Sequence, residues 1–181
     1  MMSRVLVPDP CSLLNPITRD LRDRWLALSR DQDGQGGRVT DQSRCEARLA
    51  LTLEAVGLLE PAVTRPEWGE AEDGFGQVWD FKAPHSQEAI VHRIESRSGR
   101  PALPPQQGYP GVFDVETEVV RAIGQQQLGK GVIFDLRRLT VWQAQTLVDA
   151  VSADPNIDPT LVRFYPRESD LASFAADRHG N

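Results

Sequence analysis

The chain has 181 residues, enough for one domain with a sizeable core and short for two. Its 40% apolar and 25% charged content excludes wholesale disorder, and no stretch approaches the ~18–20 apolar residues of a membrane span. The net charge of −6 argues against a general nucleic-acid coat, which would need a basic face, while the acids are concentrated in both flanks and the neutral stretch 74–167 leaves room for a local basic groove.

In chain order, residues 1–16 hold Pro8, Pro10 and Pro16 and read as an irregular arm without a signal-peptide pattern. Thr18 then reads as an N-cap for a helix over Arg19–Arg30, with Leu21, Trp25 and Leu28 at helical spacing. A Gly-rich break at Asp31–Gly37 follows. The next helix is expected from about Asp41 or Ser43 to Val56, and Gly57 stops it. Residues 58–75 are turn-rich and acidic, with Ala62-Val63-Thr64 as the candidate strand there. Gln77–Phe81 is a good strand closed by Ala83-Pro84, residues 86–95 can form a short helix, and Ser96–Gly111 is a long Pro-rich loop. The remainder reads as a helix over Val115–Leu128, a buried strand over Val132–Leu136, a helix capped by Thr140 running to about Val151, and a strand over Leu161–Tyr165.

This order predicts an α/β fold with a mixed, partly parallel central sheet flanked by helices. The expected organisation is an N-terminal arm and helix over 1–40 and an α/β domain over 41–181, one compact domain in all.

The chemistry-bearing segment is Val78-Trp79-Asp80-Phe81-Lys82. Asp80 and Lys82 are two apart on a strand and so share a face, while Trp79 and Phe81 point to the other. Of the 20 basic residues 18 are Arg, leaving Lys82 and Lys130, so a Lys at this place stands out. An ammonium is compact and tunable where a guanidinium stays charged. A carboxylate beside it can ligate a divalent cation while the Lys orients or helps deprotonate a water. A metal site needs more oxygen ligands: Asp73 is nearest, Glu72 can take its place, and Glu46 or Glu54 on the preceding helix can add another. The competing reading is a non-catalytic interaction or immunity-type module, with Asp80–Lys82 as a surface ion pair worth under about 1 kcal/mol.

Glu46 on its helix, Asp73-Gly74 and Asp80-Phe81-Lys82 together resemble the core of the PD-(D/E)XK nuclease superfamily. More narrowly, residues 76–84, then Phe113-Asp114-Val115 and Gly131–Asp135, resemble the C-terminal tRNase toxin domains of bacterial contact-dependent growth inhibition proteins of the CdiA type. The resemblance covers roughly residues 41–166 and implies a restriction-endonuclease-like core with metal-dependent phosphodiester hydrolysis. The substrate it implies is RNA, tRNA first, with DNA the other nucleic acid. Asp73 and Asp80 would then bind the metal, Mg²⁺ first with Mn²⁺ or Zn²⁺ as the others. Lys82 would serve the attacking water and Glu46 would be the helix acid. It also implies a cognate immunity protein and action in the cytoplasm after delivery within a secreted toxin, with no membrane partner. In this chain Asp73 lacks a preceding Pro, a departure from the family pattern.

Arg93, Arg97 and Arg100, at a spacing of three or four at the start of the Pro-rich loop, can clamp substrate phosphates across the site opening or form a solvated basic loop. His85 and His92 flank the site, and a surface or capping role is expected for each. Asp135 is expected to pair with Arg137 or Arg138. Trp25, Trp68 and Trp142 are expected in the core, and Cys11 and Cys45 as buried thiols.

Overall fold

A computed structural model describes residues 18–31, 36–101 and 111–171; the N-terminal arm, Cys11 and residues 102–110 of the Pro-rich loop lie outside the described residues. The elements are α1 (Arg19–Leu28), β1 (Arg30–Asp31), β2 (Arg38–Val39), α2 (Asp41–Ala55), β3 (Ala71–Glu72), β4 (Val78–Lys82), α3 (Gln87–Ser98), α4 (Val115–Gln127), β5 (Gly131–Asp135), α5 (Val141–Ala153) and β6 (Val162–Tyr165). The strands β3-β4-β5-β6 form a mixed, partly parallel sheet in that order, the expected α/β class. No helix among the described residues is long and apolar enough to cross a membrane.

The chain divides into two compact units, each with its own set of internal contacts. One takes in the described residues up to Phe81 together with Gln125–Ile133. In it, Thr18 caps α1 by accepting from the Leu21 N–H, and Thr40 with Ser43 makes a reciprocal capping box on α2. Residues 49–53 of α2 are all buried, so that helix is enclosed on most sides rather than half-solvated. Arg24 on α1 donates to Glu54 Oε1 at 2.8 Å and to Oε2 at 2.6 Å, and Oε2 also accepts from the Val63 N–H at 2.8 Å. One carboxylate thus ties α1, α2 and the segment after α2 together.

The candidate strand Ala62–Thr64 shrinks to a single antiparallel bridge between Thr64 and Glu72. Ala62 has φ 73°, a left-handed conformation that breaks an extended run. On one side β4 pairs with β3, a short strand that the sequence pattern does not mark. Ala71 faces Trp79 and Glu72 faces Val78 across the hairpin. Gly131 lies against the Trp79 ring so closely that a Cβ there would overlap Cε3 and Cζ3.

The other unit takes in the described residues of Lys82–Gly124 and those from Phe134 onward. Its α5 is the expected helix: Thr140 and Gln143 cap it reciprocally, and Ala144, Leu147, Val148 and Val151 bury one face. Trp142 sits on the opposite face of that helix and is 69% exposed, not core. Two further expectations fail in the first unit. Trp68 is 46% exposed, with the Lys130 ammonium 5.0 Å above its ring, and Cys45 is exposed among the polar residues that open α2.

Two outcomes follow from this packing. Gly131→Ala is expected to destabilise the chain by about 1–3 kcal/mol, because the buried Trp79 ring must shift; denaturant unfolding measures it, and an unchanged midpoint refutes the contact. Burial alone would raise the Glu54 carboxyl, but the Arg24 guanidinium and the Val63 and Ala62 backbone hydrogen bonds outweigh it and hold it below its ordinary 4.5. Its stabilisation is therefore present above that pH and lost as pH falls through the lowered folded-state value. Glu54→Gln is expected to cost about 1–3 kcal/mol at pH 7 and to flatten the acid limb of stability against pH.

Candidate functional site

β4 carries the two residues that the sequence singles out. Asp80 is 5% exposed, so its carboxylate is not a solvated surface charge, and Lys82 is half-buried. Two apart on one continuous strand, they leave the same face.

Asp73 serves the hairpin. Its Oδ1 accepts from the Phe75 N–H at 3.0 Å and the Gln77 N–H at 3.1 Å, and its Oδ2 accepts from Trp79 Nε1 at 2.9 Å. Both oxygens are committed to N–H donors, which is the chemistry of a turn anchor rather than of a free ligand. Gly74 follows because a Cβ there would overlap the Pro61 carbonyl oxygen.

The acids of α2 are also engaged. Glu46 accepts from Arg65 Nη1 at 3.0 Å and from Gln42 Nε2 at 2.9 Å, and Glu54 is held by Arg24 and Val63. Neither alternative for the helix acid therefore presents an uncommitted carboxylate. A cavity of about 690 Å³ lies beside them, lined by Leu26, Leu28, Ala62, Val63, Arg24 and Arg65 among others. Two of its guanidiniums, Arg24 and Arg65, already hold Glu54 and Glu46.

The structure adds Glu70, which the sequence reading did not single out. The Glu70 N–H donates to the Trp79 carbonyl at 3.1 Å, and Glu70 Oε2 accepts from the Phe81 N–H at 3.3 Å. Glu70 is thereby bound to the residues on both sides of Asp80. The signal lay in hairpin register, because a strand ending at Glu72 brings residue 70 alongside the middle of β4.

Lys82 belongs to the second unit, as does α4 through Gly124. Glu118 on α4 is 3% exposed; its Oε1 accepts from Arg121 Nη1 at 2.6 Å, and its Oε2 has no hydrogen-bond partner among the described residues. Burial pushes this carboxyl above its ordinary range, against the opposing pull of the Arg121 and Lys82 charges. The Lys82 ammonium is thus felt at a buried carboxylate that lies 36 residues further along the chain.

Arg93 and Arg97 are exposed on α3, and Arg100 is exposed just past the Gly99 cap. His92 is exposed on the same helix. His85 is half-buried, and its Nε2 meets Arg138 Nη1. Asp135 forms its expected ion pair: Arg137 donates from Nε to Oδ1 at 2.7 Å and from Nη2 to Oδ2 at 2.6 Å, and its guanidinium lies 5.3 Å over the Tyr165 ring.

Among the described residues no group of three or more His, Cys, Asp or Glu side chains is arranged to hold a metal ion. Asp80 and Glu70 remain as the carboxylates at the centre of β4. A hard cation such as Mg²⁺ suits such a pair, since it is commonly held by one or two carboxylates with water and substrate phosphate completing the shell. Comparison of the chain with protein-family models, with curated proteins and with solved structures finds no match in any of the three.

Proposed function

We propose that the chain is a divalent-metal-dependent nuclease of the toxin type, cutting RNA with tRNA as its first substrate class. The observation that carries the reading is Glu70 bound to both neighbours of the buried Asp80, on the strand that also bears Lys82. Asp80 and Glu70 hold the metal, Glu70 taking the place that the resemblance gives to Asp73. Bound there, the cation supplies Lewis-acid polarisation of a phosphate oxygen.

The chain's own groups do the rest. Lys82 presents an ammonium on the Asp80 face, where it orients water and offsets negative charge developing on the phosphate. Glu118, buried on α4, lies near enough for the Lys82 charge to act on it. Asp73 acts at one remove, fixing the hairpin that carries Glu70 and Asp80. A cognate immunity protein that blocks this strand is the partner the reading entails, and the cytoplasm of a target cell is its place of action.

The test is incubation of the purified chain with total RNA and with DNA, in Mg²⁺, Mn²⁺ or Zn²⁺ and then in EDTA. RNA cleavage that EDTA stops is expected. Lys82→Ala and Asp80→Asn are each expected to lose about 10²–10⁴-fold in rate, with Glu70→Gln at the lower end of that range. Asp73→Asn is expected to lower stability through the lost turn contacts. Wild type and Lys82→Ala cutting equally well would sink the assignment, as would cleavage indifferent to EDTA.

A further inference from the structure

A second polar cluster lies wholly within the unit that begins at Lys82. The Phe113 N–H donates to the His85 carbonyl at 2.8 Å, and His85 makes a parallel bridge to Val112. The next residue, Ser86, caps α3 and donates its backbone N–H to the Arg138 carbonyl at 2.9 Å. These backbone ties bring the start of α3 against the end of the 3₁₀ turn Leu136–Arg138. On the side-chain level, Arg138 Nη1 meets His85 Nε2 there.

Two guanidinium charges act on the imidazole at this point. Burial first, then the Arg138 and Arg93 guanidiniums, push the His85 imidazole below its ordinary value. Asp135 is the acid that opposes them, and both its oxygens are occupied by Arg137. Neither Arg93 nor Arg138 makes an ion pair or hydrogen bond to a carboxylate among the described residues. Elsewhere this chain pairs its guanidiniums, at Arg24–Glu54, Arg65–Glu46, Arg121–Glu118 and Arg137–Asp135. Arg138 meets the neutral ring directly and the Arg93 charge acts on it as well, an arrangement of like charges that is unfavourable until an anion joins it.

We propose that Arg93 and Arg138 form a phosphate-binding subsite, with His85 orienting Arg138 through its Nε2. A guanidinium offers a planar fork of donors matched to two phosphate oxygens, and both forks are accessible, since Arg93 and Arg138 are exposed. His85 contributes as a neutral acceptor: the ring hydrogen-bonds to the Ala83 backbone, which leaves Nε2 to receive the Arg138 N–H. The site deepens the nuclease reading, on which it rests for the source of the phosphate, a nucleic-acid strand passing Lys82 three residues away. The anion chemistry itself does not depend on cleavage.

The experiment follows the imidazole signals of the full chain by NMR as a function of pH, in sodium chloride and in sodium phosphate of equal ionic strength. A third arm adds a short single-stranded RNA in EDTA. With three histidines in the chain, and His92 exposed as an internal reference, the His85 signal is assignable with one His85→Gln variant. His85 is expected to titrate about half a pH unit higher or more with the anion present, because a bound phosphate favours the imidazolium and neutralises both guanidiniums. A rise with RNA alone assigns the site to a strand backbone, and a rise with both to the phosphate group itself; either supports the subsite. Arg138→Ala and Arg93→Ala are each expected to abolish the rise and to weaken RNA binding about tenfold or more. Titration at the same pH in all three solutions overturns the proposal, as does a rise that survives both substitutions. A chain that shows the rise but cuts no RNA would refute the nuclease reading and leave the subsite standing.

Discussion

The carboxylate of Asp73 is the constraint on which the rest of β4 depends. Its two oxygens gather three N–H groups, two from the backbone of the hairpin and one from the Trp79 indole. The first two close the turn, and the third fixes which way β4 presents its side chains, because Trp79 can reach Asp73 from one face alone. Gly131 completes the arrangement by giving the ring a flat surface to lie on. With Trp79 pinned, Asp80 must leave the opposite face, and a slip of one residue would exchange the two. The most chemically suggestive acid in the turn is thus consumed in aiming the next one. Breaking it would cost the hairpin donors their partner and release the register of the strand.

The same logic explains why acids that appear in a suggestive order do not form one cluster. Glu46 and Glu54 each meet an arginine, and a half-buried carboxylate with such a partner is held in place. α2 therefore uses its acids to fasten Arg65 and Arg24, and through them the segments on which those arginines lie. Glu70, which no periodicity marks, lies beside Asp80 because antiparallel pairing puts it there.

What the sequence made legible follows from how local the signals were. Thr18, Thr40 and Thr140 each cap a helix, since an N-cap depends on three or four consecutive residues. The run Val132–Asp135 is buried throughout, as an unbroken apolar strand must be. By contrast β3 has two residues, Ala71 and Glu72, too few to show alternation, so its pairing with β4 leaves no local trace. Trp142 shows the limit of composition: a large apolar ring argues for burial, but its position on α5 is set by a periodicity in which Ala144, Leu147, Val148 and Val151 already fill the inner face. Likewise Asp73 and Glu46 were visible as acids, while the donors that occupy them come from elsewhere in the fold or turn.

The scarcity of lysine acquires a physical meaning in this setting. At four places an element is fastened by a guanidinium: Arg24, Arg65, Arg121 and Arg137 supply forked, permanently charged donors at 2.6–3.0 Å from their carboxylates. Lys130 is used differently, over the Trp68 ring. Lys82, the remaining ammonium, sits half-buried on β4 beside a buried aspartate and within the field of Glu118, whose carboxyl burial has pushed up. A guanidinium there would be locked into a fork with the nearest carboxylate, while a single ammonium on a flexible stem can answer to changes in charge nearby. Arg93 and Arg138 fit the same division from the other side: they have the forked geometry of the structural arginines without the carboxylate, and that combination is what an oxyanion recognises.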